Sequence, residues 1–185
     1  LIQEHMEKGD MEGAERVDWS RPQVLVANHA SMMDIPALFR SVPVPLRVVL
    51  KREMERVPLI GWYARMMGMV FIDRGNARDA KRKLGDAAGK LRDAATFAAF
   101  PEGTRSKDGT IGAFKGGALQ LALEAGVPVV PVAIIGAGEV LPPSGFRVRP
   151  GGILVRFGAP IETTGMTPQD RNVLAQLARD AVLAL

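Results

Sequence analysis

The chain has 185 residues, a formal charge of +4, 47% hydrophobic and only 5% aromatic residues, which suits one domain with an aliphatic core and excludes a disordered tail. It has no cysteine and only two histidines, His5 and His29, so disulfides and thiolate metal sites are excluded and the distance between the histidines argues against a zinc site. No apolar run reaches the roughly 18 residues of a spanning helix; the longest, around Val127 to Ala137, is broken by proline and glycine.

Residues 1–18 carry six acidic and two basic side chains and no basic start followed by an apolar signal core. Because the chain begins at Leu1 rather than Met, we expect a piece of a longer polypeptide that lacks an N-terminal membrane-docking segment. The first strand is expected at Val24–Ala27, running directly into Asn28-His29-Ala30-Ser31-Met32-Met33-Asp34, with a helix from about Ser31 to Phe39. Histidine titrates nearest neutral pH, which makes His29 a candidate base and Asp34 the carboxylate that would orient it. Residues five apart on a regular helix diverge by about 140°, so the two can share a site only if His29 sits in the turn and Asp34 in the first helical turn. The same stretch also fits a capping box, Ser31-x-x-Asp34, in which both side chains merely satisfy helix-start amides.

A strand at Arg47–Leu50 leads into Lys51-Arg52-Glu53, a helix is expected over Leu59 to Met67, and a strand at Met69–Ile72 ends in Asp73-Arg74. The helix Ala77 to Arg92 holds Arg78, Lys81, Arg82 and Lys83, which read as a solvated face. Residues 46–92 carry twelve basic side chains against five acidic, a balance that suits phosphate, nucleic acid or an anionic lipid surface. Arg74 could contact a phosphate or pair with Asp73. Trp62, Tyr63, Met66, Met67 and Met69 read as core, or alternatively as a wall for an acyl chain or a patch on a membrane. The aromatics do not interleave with the basic residues, which argues against nucleic acid.

The strand Thr96–Phe100 opens into Pro101-Glu102-Gly103-Thr104-Arg105-Ser106, and Gly112-Ala113-Phe114-Lys115-Gly116-Gly117 opens a helix from Lys115 to Glu124, closed by Gly126. Strand, polar loop and glycine-rich helix start suit an anion, with Arg105 and Lys115 supplying charge. Glu102 would bond a ligand hydroxyl or hold Arg105; the alternative is a tight Pro-Glu-Gly turn with a structural Arg–Glu pair. Neither a nucleotide P-loop nor a dinucleotide fingerprint is present. Strands at Val129–Ile135 and Ile153–Phe157, a surface loop at Leu141–Gly145 and a helix from Thr167-Pro168 to the end complete the chain. This alternation predicts one α/β domain over residues 1–185, a mixed, largely parallel sheet flanked by helices.

Four blocks in this order resemble the glycerolipid acyltransferases related to bacterial 1-acylglycerol-3-phosphate acyltransferase. They are Asn28-His29-x4-Asp34; Lys51-x-Glu53 through Pro58, Gly61, Gly68 and Phe71-Ile72-Asp73-Arg74; Phe100-Pro-Glu-Gly-Thr-Arg-Ser106 with Phe114-Lys115-x-Gly117; and Val127-Pro128-Val-Val-Pro131-Val. Met54 stands where Lys-x-Glu-Leu has leucine, a conservative change. The resemblance implies that His29, oriented by Asp34, deprotonates the free hydroxyl of a lysophosphatidic acid, which attacks the thioester of acyl-CoA or acyl carrier protein to give phosphatidic acid. It implies a glycerol phosphate site at Glu102, Gly103, Thr104 and Arg105, with Arg74 and Lys115 as additions. It also implies no metal or cofactor beyond the acyl donor, and a place on the cytoplasmic face of the cell membrane against anionic lipid. No motif marks the pantetheine site or the oxyanion stabiliser. Rivals are another acceptor such as a lyso-ornithine lipid, a thioesterase, although the chain has no G-x-S-x-G elbow, and a non-catalytic lipid binder that would tolerate loss of His29.

Overall fold

Every residue of the strand Gln23–Ala27 is buried, and its alternating side chains divide between two cores. Val24 and Val26 face one apolar cluster, whereas Leu25 and Ala27 face the other. The computed structural model describes residues 11–58, 60–72, 77–92, 96–145 and 147–185. Its strands are β1 (Met11–Glu12), β2 (Gln23–Ala27), β3 (Leu46–Lys51), β4 (Val70–Ile72), β5 (Thr96–Ala99), β6 (Val129–Ile135) and β7 (Leu154–Phe157). Its helices are α1 (Asp34–Ser41), α2 (Ile60–Met66), α3 (Ala77–Arg92), α4 (Gly116–Ala125), α5 (Ala137–Val140) and α6 (Arg171–Leu183). The sheet order is β1-β7-β6-β2-β5-β3-β4. All pairs are parallel except β6–β7, so the expected mixed, largely parallel sheet is what forms.

Helices α3, α4 and α6 pack through Ala87, Leu91, Leu119, Ala122, Leu174 and Ala178 on the Val24/Val26 face. Helices α1 and α5 cover the opposite face through Ala37, Leu38, Ala137 and Val140. Strand β2 therefore reads as a continuous apolar run because helices cover it on both sides. Between the adjacent strands β2 and β5 the connections part: from β2 the chain crosses through α1 to β3, and from β5 through α4 to β6, in opposite directions and on opposite faces. Such a switch point opens a crevice at the carboxyl ends of the strands. His29 and Glu102 both lie just beyond those ends.

The structure differs from the sequence expectation in local ways. Helix α1 begins at Asp34 rather than Ser31, because residues 31–33 are held in a turn by side-chain bonds described below. The last helical segment is divided, with a 3-10 turn at Pro168–Asp170 preceding α6; the Thr167 N–H and hydroxyl donate to the Asp170 carboxylate at 2.7 and 2.8 Å. The two-residue β1 and the four-residue α5 carry too little periodicity to be anticipated. Trp62, Met66 and Met67 are not core: they are 61%, 66% and 40% exposed, Met69 packs against the interior, and the Tyr63 side chain lies outside the described residues. Gly61 lies so close to the Glu55 carbonyl that a β-carbon would collide with it, which explains a glycine inside α2. His5, Leu59, Asp73 and Arg74 lie outside the described residues.

Candidate functional site

Where β2 ends, Asn28 takes over the sheet's hydrogen bonding with its side chain. Its amide Nδ2 donates to the Ile134 carbonyl at 2.9 Å and its Oδ1 accepts the Ile134 N–H at 2.7 Å. This double bond pattern needs one donor and one acceptor in a single planar group, which an amide supplies. It locks the start of the following turn to β6 and so fixes where His29 leaves the sheet.

The His29 ring is 18% exposed, whereas the Asp34 side chain is fully buried. Nδ1 of His29 lies 2.7 Å from Asp34 Oδ2. The same oxygen accepts the Ala30 and Ser31 N–H groups, each at 2.8 Å. An oxygen that already receives two N–H donors is an acceptor, so Nδ1 carries the ring proton and Nε2 is left with a lone pair. Nε2 makes no hydrogen bond among the described residues. The imidazole also stacks on Phe100, with ring centroids 4.3 Å apart and planes inclined by 25°. The capping alternative is partly realised. Ser31 Oγ accepts the Met33 N–H at 3.1 Å and donates to the Leu141 carbonyl at 2.7 Å. One carboxylate thus closes the turn and holds the ring.

The second loop begins as the tight turn its sequence suggests, with Pro101 at its second position, Gly103 at its fourth and the Gly103 N–H donating to the Phe100 carbonyl at 3.1 Å. Glu102 is buried, and in place of the expected pairing with Arg105 its carboxylate accepts two backbone N–H groups. Oε1 accepts the His29 N–H at 2.7 Å and Oε2 accepts the Gly112 N–H at 2.9 Å. The arrangement fits a loop tie, and no Glu102–Arg105 pair is formed. The Ser106 N–H then donates to the His29 carbonyl at 2.7 Å, so the loops after β2 and β5 are joined on both sides of His29. Thr104 is exposed and Arg105 half-buried, and Arg105 forms no hydrogen bond or ion pair among the described residues. Lys115 is exposed at the start of α4, its backbone N–H donating to the Pro101 carbonyl at 3.0 Å. Gly116 is required by packing, since a β-carbon there would strike the Asn172 side chain on the neighbouring α6. Asp108 shapes the outer loop by accepting bonds from Thr110 and Ser106. The Thr110 hydroxyl and N–H, followed by Ser106, hold its carboxyl below the ordinary aspartate value.

A cavity of about 590 Å³ opens beside Asn28, Ala30 and Ser106 and extends along Ile134, Pro142 and Leu183. Its charged lining residues are Lys107, Asp108 and Glu139, a balance that does not favour an anion. The residues singled out in the sequence therefore fall into two groups. His29, Asp34, Glu102 and Gly103 are tied by the bonds of the two loops, while Thr104 and Lys115 are exposed, Arg105 is half-buried, and none of these three lines the cavity. What sequence reasoning missed is the tie itself, made by Asn28, Phe100 and Glu102 to partners distant in sequence. An Asn directly after a strand was its only local signal.

A family model described as acyltransferase matches residues 8–135. The chain is 39% identical over 136 residues to a chloroplast 1-acyl-sn-glycerol-3-phosphate acyltransferase of Brassica napus, covering 73% of this chain and 39% of that protein. It is 32% identical over 178 residues to the human 1-acyl-sn-glycerol-3-phosphate acyltransferase alpha, covering 95% and 62%. The chain thus spans from about two-fifths to three-fifths of the length of these curated relatives. Its fold is similar to the crystal structure of the lysophosphatidic acid acyltransferase PlsC from Thermotoga maritima, with a TM-score of 0.73, 31% identity and coverage of 95% of this chain and 72% of that one.

Asn28→Asp would set a carboxylate oxygen against the Ile134 carbonyl in a buried place. The variant is expected to lose about 1–3 kcal/mol of unfolding free energy, read from the urea midpoint; an unchanged midpoint would show that the side chain does not tie β2 to β6.

Proposed function

We propose, for a chain that belongs to the acyltransferase family, that it moves a fatty acyl group from the thioester of acyl-CoA or acyl carrier protein to the free hydroxyl of 1-acyl-glycerol-3-phosphate, forming phosphatidic acid. The observation that carries this reading is the 2.7 Å His29 Nδ1–Asp34 Oδ2 contact at the sheet's switch point, with Nε2 unbonded among the described residues. In this reaction Nε2 takes the proton as the acceptor hydroxyl attacks the thioester carbonyl. The tetrahedral oxyanion collapses, the carbon–sulfur bond breaks, and the proton passes from Nε2 to the departing thiolate. Asp34 keeps the ring in the required tautomer and balances the imidazolium that forms between the two steps. The leaving thiol is good enough that the chemistry needs no cofactor beyond the acyl donor.

Arg105, half-buried with no partner among the described residues, is the group best suited to the acceptor's phosphate, with Thr104 next to it in the chain and the exposed Lys115 at the start of α4 as further contributors. Arg74 remains part of this proposal from its sequence position alone. The cavity beside Ala30, with its mixed charges, suits the uncharged part of the acyl donor. Among the described residues no helix is long and apolar enough to cross a membrane. Lipid substrates nonetheless require access from a bilayer. Trp62 and Met66, one turn apart and largely exposed on α2 next to Arg65, offer a surface for an anionic membrane. Acyl-CoA and acyl carrier protein are cytoplasmic, so the cytoplasmic face is the proposed location.

Three measurements test these assignments. Thiol release from acyl-CoA by the full-length protein should depend on lysophosphatidic acid and yield phosphatidic acid, and His29→Ala should lower it by at least about 10⁴-fold in a variant whose circular dichroism at the assay temperature is that of the parent. Acceptor-independent release would mean a thioesterase, and retained turnover in His29→Ala would remove the base. Arg105→Ala should raise the acceptor KM roughly tenfold or more, the loss of one charge-assisted bond; an unchanged KM would place the phosphate elsewhere. Replacing Trp62 and Met66 by serine should weaken sedimentation with phosphatidylglycerol vesicles while sparing turnover of a detergent-dispersed acceptor. Undiminished vesicle binding would assign the membrane contact to another surface.

A further inference from the structure

We infer that Arg179, on the last helix α6 and well beyond the family-matched residues 8–135, is a positioning residue for His29 that acts through Glu102. Its Nε donates to the Gly112 carbonyl at 2.8 Å and its Nη2 to the Ile111 carbonyl at 2.9 Å. Two donors from one rigid plane fix two consecutive carbonyls, which sets both the place and the rotation of this strip of loop. With the Gly112 carbonyl turned to α6, the N–H of the same residue reaches Glu102 Oε2 at 2.9 Å. Across that carboxylate, Oε1 takes the His29 N–H at 2.7 Å. The relay runs unbroken from α6 through residues 111–112 and Glu102 to the backbone of the candidate base.

Each link is needed for the next. Glu102 is buried, so losing the Gly112 N–H would leave a carboxylate oxygen unsatisfied and the side chain free to shift. The approach is close as well: a β-carbon on Gly112 would sit 3.2 Å from Oε2. His29 cannot follow such a shift without leaving either the Phe100 face or Asp34 Oδ2, since its ring is held on both. Helix α6 is anchored independently through Leu174, Ala175, Ala178 and Val182 in the core. The guanidinium therefore transmits the position of a rigid element to the loop.

The kinetic arm of the test rests on the acyltransferase reading, and the spectroscopic arm does not. In the full-length protein, Arg179→Gln and Arg179→Ala should lower kcat for lysophosphatidic acid-dependent thiol release by roughly ten- to a hundredfold, the cost of a displacement near an ångström. The acceptor KM should stay near the parent value, and Arg179→Lys should restore part of the loss. Combined with Glu102→Gln, Arg179→Gln should add little to the single variants, as expected of residues in one network. The His29 Nδ1–H resonance should shift or broaden in Arg179→Gln whether or not the parent turns over. An unmoved resonance overturns the proposal, as does kcat within about twofold of an active parent, the spread expected of a surface substitution. A moved resonance in a parent without turnover supports the relay and removes the acyltransferase reading instead.

Discussion

Asp34 is a fully buried carboxylate, and the site around it follows from what such a group requires. A charge withdrawn from water must be met by directed donors. Three converge on one oxygen: the His29 Nδ1–H and the Ala30 and Ser31 N–H groups. The contacts to Asp34 Oδ2 bend the chain after β2 and postpone α1 to residue 34, while Oδ1 is buried without a hydrogen-bond partner among the described residues. They also point the histidine's proton-accepting nitrogen away from the turn. The candidate base and the local backbone are consequences of one electrostatic demand.

Around that centre the second loop is tied to the first by a second buried carboxylate. Glu102 bonds His29 and Gly112, Ser106 bonds the His29 carbonyl, and Arg179 holds the far side of the 111–112 strip. Fixed dipoles of this kind need not reorganise when charge develops on an imidazole. Thr104, Arg105 and Lys115 differ from these tied groups, being exposed or half-buried polar and positive groups in the same loop and at the start of α4. A tied interior around the candidate base thus contrasts with more exposed polar and positive groups in the same loops.

The strands were the most legible part of the sequence, because a strand buried on both faces is a short apolar run bounded by turn residues. Val129–Ile135 has the expected limits, β2 begins one residue earlier than expected, and β3 is one residue longer at each end. Helix boundaries were less legible where side chains intervene, as at Ser31 and Thr167. The apolar stripe of Trp62, Met66 and Met67 misleads because spacing records amphipathicity and not which face is covered. Glu102 shows the limit for the site. Its residue type suits a ligand hydroxyl, an arginine or a loop amide equally, and the choice depends on Gly112, ten residues away, and His29, seventy-three residues away.

The sequence by itself determined the alternation of strands and helices, the two loops that carry the reactive and charged residues, and the resemblance to an acyltransferase family. These follow from local periodicity and from residue types fixed by the chemistry. Only the tertiary structure decided that the crossovers leave β2 and β5 in opposite directions, so that both loops meet at one crevice. It also decided that Asp34 closes the turn and orients His29 at once, and that α6 reaches back to the loop behind His29. Those outcomes depend on which buried donors meet which buried acceptors, a condition set by packing between segments remote in the chain.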